Sequence, residues 1–468
     1  MKIEQIYTAC LAHGAYYIES EGEVAIVDPL REYQPYLDRA VKDKARIKYI
    51  LETHFHADFV SGHLDLAQKT GATIVYGPNA NTGFEAYIAR DQEILPVGKI
   101  HLVVLHTPGH TPESTTYLLR DENGRDRAIF TGDTLFIGDV GRPDLAVESN
   151  LSRENLAGML YDSLRNTIMP LGDDVIVYPA HGQGSACGKN MSKETFDTLG
   201  RQKATNYALR ANMTKEEFIK EITEGLAQPP QYFPKNVLLN KQGYNSLDTI
   251  LAKGLLALSA KTFQDRAKEK KALILDTRAP QVFKKGFIKG AVNIGIKGEF
   301  APWVGALIKE LNQATLIVAD KGKEKEVVTR LARVGYDNSI GYLEGGMEAW
   351  KTIGGATETI ESISATEFEQ RLKTERYPIL DVRKTKEYQA EHIEGAQHFP
   401  LSQLERNLNR LDKDQTYYVH CAGGYRSMIA SSMLKAAGFE NLIEIAGGFN
   451  AIKKTDIART KFACPSTL

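Results

Sequence analysis

The stretches "EVAIVDP", "IKYILETH", "ATIVYGP", "IHLVVLHTPGH", "RAIFTGDT" and "DVIVYPAHG" each hold a short apolar run bounded by Gly, Pro, Asp or His. Runs of that length with those punctuators predict strands. Polar residues collect where the strands end, so the pattern from Met1 to about Asn245 predicts a sandwich with a site along its rim. The proline-rich "EGLAQPPQYFPKN" ends or decorates this part, and "GYNSL" leads out of it.

Beyond that point the pattern occurs twice. "ALILDTRAPQVFKKGFIKGAVNI" followed by "TLIVADKGKEKEVVTRLARVGYDNSIGYLEGGMEAW" matches "YPILDVRKTKEYQAEHIEGAQHF" followed by "TYYVHCAGGYRSMIASSMLKAAGFENLIEIAGGFNAI". Each unit predicts a strand ending in Asp-x-Arg, a Gly-Ala turn, a second strand, a helix and a Gly-Gly turn. Strands alternating with helices imply a parallel sheet with helices on its faces. The expected organisation is α/β multidomain, with boundaries at 1–245, 246–357 and 358–468.

A length of 468 residues with 42% hydrophobic content agrees with roughly three such domains. Lys plus Arg number 58 against 59 Asp plus Glu, which removes any general attraction to nucleic acid or an anionic membrane. No apolar run is long enough to span a bilayer, and the first residues lack a signal-peptide pattern, so a cytoplasmic location is expected. Cys10, Cys187, Cys421 and Cys464 stand too far apart for a disulfide framework or a CxxC zinc site. Small-molecule or protein partners are expected, with the chain forming a homo-oligomer, either a dimer or a tetramer.

Eight of the eleven histidines precede Asn190, gathered chiefly in "HFHADFVSGH", "HTPGH" and "YPAHG". One histidine alone is more often a surface or satisfied core residue. Several histidines and acids at strand ends, each near Gly or Pro, are better explained as converging metal ligands. The strand "IKYILE" feeds His54, after which His56 and Asp58 alternate along one turn. "FTGDT" delivers Asp133, and "VVLHTPGHT" delivers His110.

The order HxHxD, PGHT, TGD, PAHG resembles the metallo-β-lactamase fold, which implies an αββα sandwich. That family includes two-zinc hydrolases and oxygen-using iron enzymes, so the fold does not by itself give the reaction. In hydrolases such as glyoxalase II the first motif continues HxHxDH, whereas here it reads "HFHADF". Phe59 cannot bind a metal, which favours one ion over two. The persulfide dioxygenases of this fold hold a single iron, and their motif places its ligands on His54, His110 and Asp133. Such a facial triad leaves positions open for chemistry. The resemblance then implies one Fe(II) per chain, with His56, Asp58 and His181 standing behind the ligands. "GDVGRPDL" is similar to the GxxGRxD stretch of the same enzymes. Arg142 in it could hold a substrate carboxylate or brace the turn by pairing with Asp144. Tyr178 could face the pocket or serve as core.

The two repeats resemble rhodanese domains. In the second, "YYVH" ends at Cys421, and "AGGYRS" leads into a helix. Backbone N–H groups, the helix N-terminus and Arg426 favour an anionic sulfur there, although a strand-end cysteine is ordinarily an inert apolar residue. The rhodanese resemblance makes Cys421 a carrier of sulfane sulfur, with Arg426 beside it and Asp381 and Arg383 bracing the loop. Aligning the repeats puts Asp320 where Cys421 stands, so the first unit is expected to be silent, a spacer or an interface.

Together the resemblances imply a persulfide dioxygenase-rhodanese fusion used in sulfide detoxification. It would oxidise a thiol persulfide of the glutathione, coenzyme A or bacillithiol type with O2 and combine the sulfite formed with sulfane sulfur to give thiosulfate. Two other readings stand beside it. One is a thioester hydrolase similar to glyoxalase II. The other is a sulfur-relay or regulatory protein with a structural metal.

Overall fold

A computed structural model of the chain describes residues 1–145, 151–226 and 228–464. It forms two compact units, Met1–Thr249 with Thr329–Asp337, and Ile250–Val328 with Asn338–Leu468.

In the first unit the apolar runs of the sequence become two six-stranded sheets. One holds, in spatial order, β1 (Lys2–Thr8), β2 (His13–Ser20), β3 (Glu23–Val27), β4 (Arg46–Leu51), β5 (Thr73–Tyr76) and β6 (Tyr87–Ile88). The other holds β7 (Ile94–Val97), β8 (Ile100–His106), β9 (Thr115–Arg120), β10 (Asp126–Gly132), β11 (Ile176–Pro179) and β12 (Asp197–Thr198), also in spatial order.

Alternate residues of a strand face opposite sides of its sheet, and here both sides are covered. Tyr16 and Ile18 of β2 join Val27, Leu51, Tyr117, Leu119 and Phe130 in one core between the sheets. Their neighbours Ala15 and Tyr17 join Ile26 and Ile50 beneath Tyr36, Ala40 and Leu66 of the helices Gln34–Asp43 and His63–Thr70. On the far side, Val103, Leu118 and Ile129 meet Leu160 and Phe218 of the helices Arg153–Ser163 and Lys215–Thr223. The result is an αββα sandwich. Two-sided burial explains why strands such as "VAIV" are unbroken apolar runs rather than alternating ones.

The strand ends meet along one edge. β3 and β4 run parallel, as do β10 and β11. Asp28 N donates to Leu51 O at 2.9 Å and Ala180 N to Gly132 O at 2.9 Å. Thr115 N donates to Thr53 O at 2.8 Å, which ties the end of β4 to the opposite sheet.

The second unit contains two five-stranded parallel sheets of the same order. One runs Ala257–Leu258, Ser339–Leu343, Thr315–Val318, Leu273–Asp276, Val292–Asn293, and the other Glu361–Ile363, Leu442–Ile445, Tyr417–His420, Ile379–Asp381, Gln397–His398. The Asp-x-Arg elements are duplicated in geometry as well as sequence. Nε of Arg278 lies 2.9 and 3.0 Å from the Asp276 oxygens, and Nε of Arg383 lies 2.9 and 3.0 Å from those of Asp381. Among the described residues, no helix is long and apolar enough to cross a membrane.

Candidate metal centre and thiol loop

His54, His110 and Asp133 each offer a ligand atom, all within 4.8 Å of one another and all buried. His54 follows β4, His110 follows the Pro-Gly turn after β8, and Asp133 follows β10. Each imidazole has its Nδ1 committed. That of His54 bonds Thr53 Oγ1 at 2.9 Å, while Thr53 itself donates to Asp28 Oδ2 at 2.8 Å. That of His110 donates to Arg142 O at 2.8 Å. A committed Nδ1–H leaves Nε2 with its lone pair, the state a metal requires.

The Nε2 atoms of His54 and His110 lie 3.8 and 3.4 Å from Asp133 Oδ2. That oxygen has no hydrogen-bond partner although it is buried. An orphaned carboxylate oxygen facing two imidazole lone pairs suits a cation. Burial, with His56 beside it, pulls the pKa of His54 well below its ordinary value, which keeps it neutral. Burial opposes the charge of Asp133, yet His181 and His110 hold its pKa well below the usual carboxylate range.

Two glycines make this approach possible. A Cβ on Gly132, at φ +53°, would lie 2.4 Å from Thr53 Oγ1. One on Gly141 would lie 1.9 Å from Asp133 O and 3.0 Å from His110 Nδ1.

His181 stands behind the trio, with Nδ1 2.8 Å from Asp133 Oδ1 and Nε2 2.9 Å from Asp58 Oδ2. Burial opposes its charge, but the two carboxylates raise its pKa well above the ordinary 6.5. His56 turns elsewhere, its Nε2 3.1 Å from Asp28 Oδ1 and 3.7 Å from Glu52 Oε2. Phe59 is fully buried, its ring 4.3 Å from those of both His56 and His13. Its side chain thus fills the corner between those histidines with hydrocarbon.

Arg142 does two things at once. Its carbonyl fixes His110, and its guanidinium grips Asp144 through Nε at 2.6 Å and Nη2 at 2.7 Å. Tyr178 is not brought to the trio. It lies in β11 in an aromatic stack, 5.5 Å from Phe130 and 5.3 Å from Tyr16.

Several buried residues of this region escaped the sequence reading. Asp28 at the end of β3 obeys the same strand-end grammar as Asp133 and could have been found by it. His13, at the start of β2, donates from Nε2 to Asp28 O at 2.9 Å, and burial drives its pKa down to about 3. Glu52 lies 3.5 Å from His63 Nδ1. Cys187 forms a second buried group with Asp58 and His181. Burial and the nearby carboxylates of Asp133 and Asp58 push its thiol pKa well above its ordinary value.

In the second unit, Cys421 follows the strand Tyr417–His420 and is 1% exposed. Gly424 N donates to its Sγ at 3.1 Å, just before the helix Tyr425–Ala436. A Cβ on Gly448 would lie 2.4 Å from Cys421 O, so the Gly-Gly turn packs directly on the loop. Arg426 points its guanidinium at Glu387, with contacts of 2.6 and 2.9 Å.

Strand register corrects the alignment of the first repeat. Asp381 pairs with His420 and Asp276 with Val318, so Ala319, not Asp320, occupies the place of Cys421. The loop before its helix is one residue longer, which is why alignment on the helix misplaced it. The first repeat braces the second. Gly295 O accepts from Tyr425 Oη at 2.7 Å, Asn293 N donates to Ser432 Oγ at 2.9 Å, and Met428 enters the first repeat's core.

Comparison with known proteins agrees with this architecture. Residues 10–181 match the metallo-beta-lactamase superfamily, and residues 259–353 and 364–455 match the rhodanese-like domain. The chain belongs to the metallo-beta-lactamase superfamily, in a form that carries two rhodanese-like domains. A metallo-beta-lactamase from Staphylococcus aureus subsp. aureus COL has 30% identity and a TM-score of 0.64, over 73% of this chain and 98% of that one. Among curated relatives, the probable hydroxyacylglutathione hydrolase glo2 of Schizosaccharomyces pombe is 31% identical over 42% of this chain and 72% of its own. The human mitochondrial persulfide dioxygenase ETHE1 is 28% identical over 42% of this chain and 70% of its own. The chain is therefore of the metallo-hydrolase and ETHE1 type. Hydrolase and dioxygenase stand at similar identity, so the distinction falls to the site.

Proposed function

We propose that the chain is an Fe(II) persulfide dioxygenase joined to a sulfurtransferase, with domains at 1–245, 246–357 and 358–468. The observation that carries the reading is the trio His54, His110 and Asp133, with the neighbouring corner filled by Phe59 and His56 turned toward Asp28 and Glu52. Two imidazoles and one carboxylate form the set a non-heme iron takes. Bound there, iron supplies the electron-transfer chemistry that lets O2 react with a persulfide, which zinc lacks.

The stoichiometry is RSSH + O2 + H2O giving RSH and H2SO3, the acid of sulfite. Asp28 and Thr53 hold His54, the Arg142 carbonyl holds His110, and His181 holds Asp133, so each ligand is oriented from behind. Cys421 takes a sulfane sulfur from a second persulfide, and Gly424 N–H supports the anion. Sulfite then accepts that sulfur and leaves as thiosulfate.

The trio Asp58, His181 and Cys187 favours the competing hydrolase reading, since it offers a second set of ligand atoms. Metal analysis after purification without oxygen, followed by O2 uptake with glutathione persulfide, separates the two. One iron per chain with persulfide-dependent O2 loss is expected. Two zinc ions with thioester cleavage would sink the dioxygenase.

A further inference from the structure

A strand-end cysteine is ordinarily backed by apolar side chains. Cys421 is backed by hydroxyls that end on a carboxylate. Its thiol donates to Ser427 Oγ at 3.5 Å, and the Ser427 hydroxyl donates to Glu444 Oε1 at 3.0 Å. The other oxygen, Oε2, accepts from Ser362 Oγ at 2.6 Å, and Ser362 Oγ accepts from Lys284 Nζ at 2.8 Å. Glu444 comes from the fully buried strand Leu442–Ile445 and is 3% exposed. A parallel strand covered on both faces ordinarily carries an apolar residue there. The carboxylate lies directly under the loop, since a Cβ on Gly424 would be 3.5 Å from Oε1.

Burying a carboxylate is costly unless its oxygens are bonded, and each oxygen here has one hydroxyl donor. Burial raises the pKa of Glu444 above its ordinary value, and Ser362, Ser427 and the Lys284 charge offset only part of that. A carboxylate so placed is a better proton acceptor near neutral pH than an exposed one.

We propose that Cys421, Ser427 and Glu444 share one proton, with Glu444 the positioning residue that takes up, through Ser427, the proton Cys421 releases on becoming a nucleophile. The inference rests on Cys421 being the sulfur carrier. In the resting arrangement S–H donates to Ser427, and Ser427 donates to the carboxylate. Shifting each hydrogen one atom along gives a thiolate that accepts from the Ser427 O–H, while Ser427 accepts from a carboxylic acid. The three groups keep a net charge of minus one throughout, so no charge enters or leaves the buried pocket.

The thiolate then attacks the outer sulfur of RSSH. An S–S bond forms to Cys421, the bond to R–S breaks, and the proton of the persulfide's outer sulfur leaves with the thiol RSH, while Glu444 keeps the proton it took from Cys421. Sulfite attacks the outer sulfur of the resulting Cys421 persulfide anion. Its lone pair forms the S–S bond of thiosulfate, the Cys421 S–S bond breaks, and the thiolate recovers its proton from Glu444.

The charged groups around this chain are Lys284, reaching Glu444 through Ser362, and Arg426 paired with Glu387 on the loop side. Glu299 faces Arg426, and His420 Nδ1 meets Cys421 O at 3.3 Å. All of them are retained in the variants below, so a difference between proteins reports on the chain itself.

The test is the rate of alkylation of Cys421 by iodoacetamide, read on its own peptide by mass spectrometry in the full-length protein, from about pH 5 to about pH 10. Glu444→Gln keeps the shape but cannot take a proton. Its half-maximal alkylation is expected about one pH unit higher than in the native protein, a roughly tenfold slower reaction near pH 7, with the high-pH plateau unchanged. Ser427→Ala is expected to behave alike, and Glu444→Asp to fall between. These two carry the test if Glu444→Gln fails to fold. An unmoved or lowered midpoint overturns the proposal, as does a reduced plateau without a midpoint shift, which marks a mere structural brace. Whether Cys421 carries sulfur at all is read separately, from an added sulfur atom on its peptide after treatment of the native protein with glutathione persulfide. Failure of that reading leaves the alkylation result intact.

Discussion

Phe59 acts through what it is not. It sits between residues that bind metals well, and its ring contacts His56 and His13 at 4.3 Å with no exposure at all. Phe59→His would put a ligand where hydrocarbon now stands, beside Asp58 and His181, which already lie 2.9 Å apart. Losing the buried ring is expected to cost about 1–3 kcal/mol, and in zinc medium the metal content is expected to rise from one toward two ions per chain. Elemental analysis of the variant decides it, and a content held at one means that Phe59 is not what limits the site. The sequence made this residue legible because a local motif surrounds it. Asp28, Glu52 and His13 were not legible as neighbours of His56, since each comes from a different strand end and only the pairing of β2, β3 and β4 brings them together. The same limit applies to Cys187, which is brought beside Asp58 only by the fold.

Among the elements, regular strands were read correctly from apolar runs, because two covered faces leave no polar position to confuse the pattern. The repeat gave both parallel sheets and their Asp-x-Arg braces, which have the same bonds in the two repeats. Loop register was beyond sequence, as Ala319 shows, because a single inserted residue between strand and helix leaves both elements intact. The Gly-Gly turn of the second repeat packs closely on its thiol loop, Gly448 against the Cys421 carbonyl. Gly448→Ala combines a left-handed φ of +54° with a Cβ 2.4 Å from that oxygen, whereas Gly395→Ala at φ +80° meets nothing within 4 Å. The first is expected to cost about 2–4 kcal/mol and the second about 1 kcal/mol. Calorimetry should show the unit containing Gly448 melting several degrees lower in the first variant than in the second, at roughly 2–4 °C per kcal/mol. Equal melting would mean that the Gly-Gly turn can move off the loop without loss.

For the whole molecule, the two candidate sites share no residue. His54, His110, Asp133 and everything that orients them belong to the first compact unit, and Cys421, Ser427, Glu444 and the first repeat that braces them belong to the second. Each site is complete within its own unit. The species that would pass from one reaction to the other is sulfite, a small stable anion that needs no carrier. A mixture of two inactive chains should then work. Asp133→Ala removes a metal ligand and leaves Cys421 untouched, while Cys421→Ser leaves the metal trio untouched and removes the sulfur carrier. Given glutathione persulfide and O2, the first is expected to form no sulfite, and the second to accumulate sulfite with thiosulfate only at the rate of the uncatalysed reaction. Mixed at equal concentration they are expected to restore thiosulfate formation above that control, to about half the native rate or better once sulfite accumulates. Ion chromatography of sulfite and thiosulfate over time measures both. If the mixture yields sulfite alone, passage between the two reactions is confined to a single chain, and the joining of the two units does more than keep their genes and amounts together.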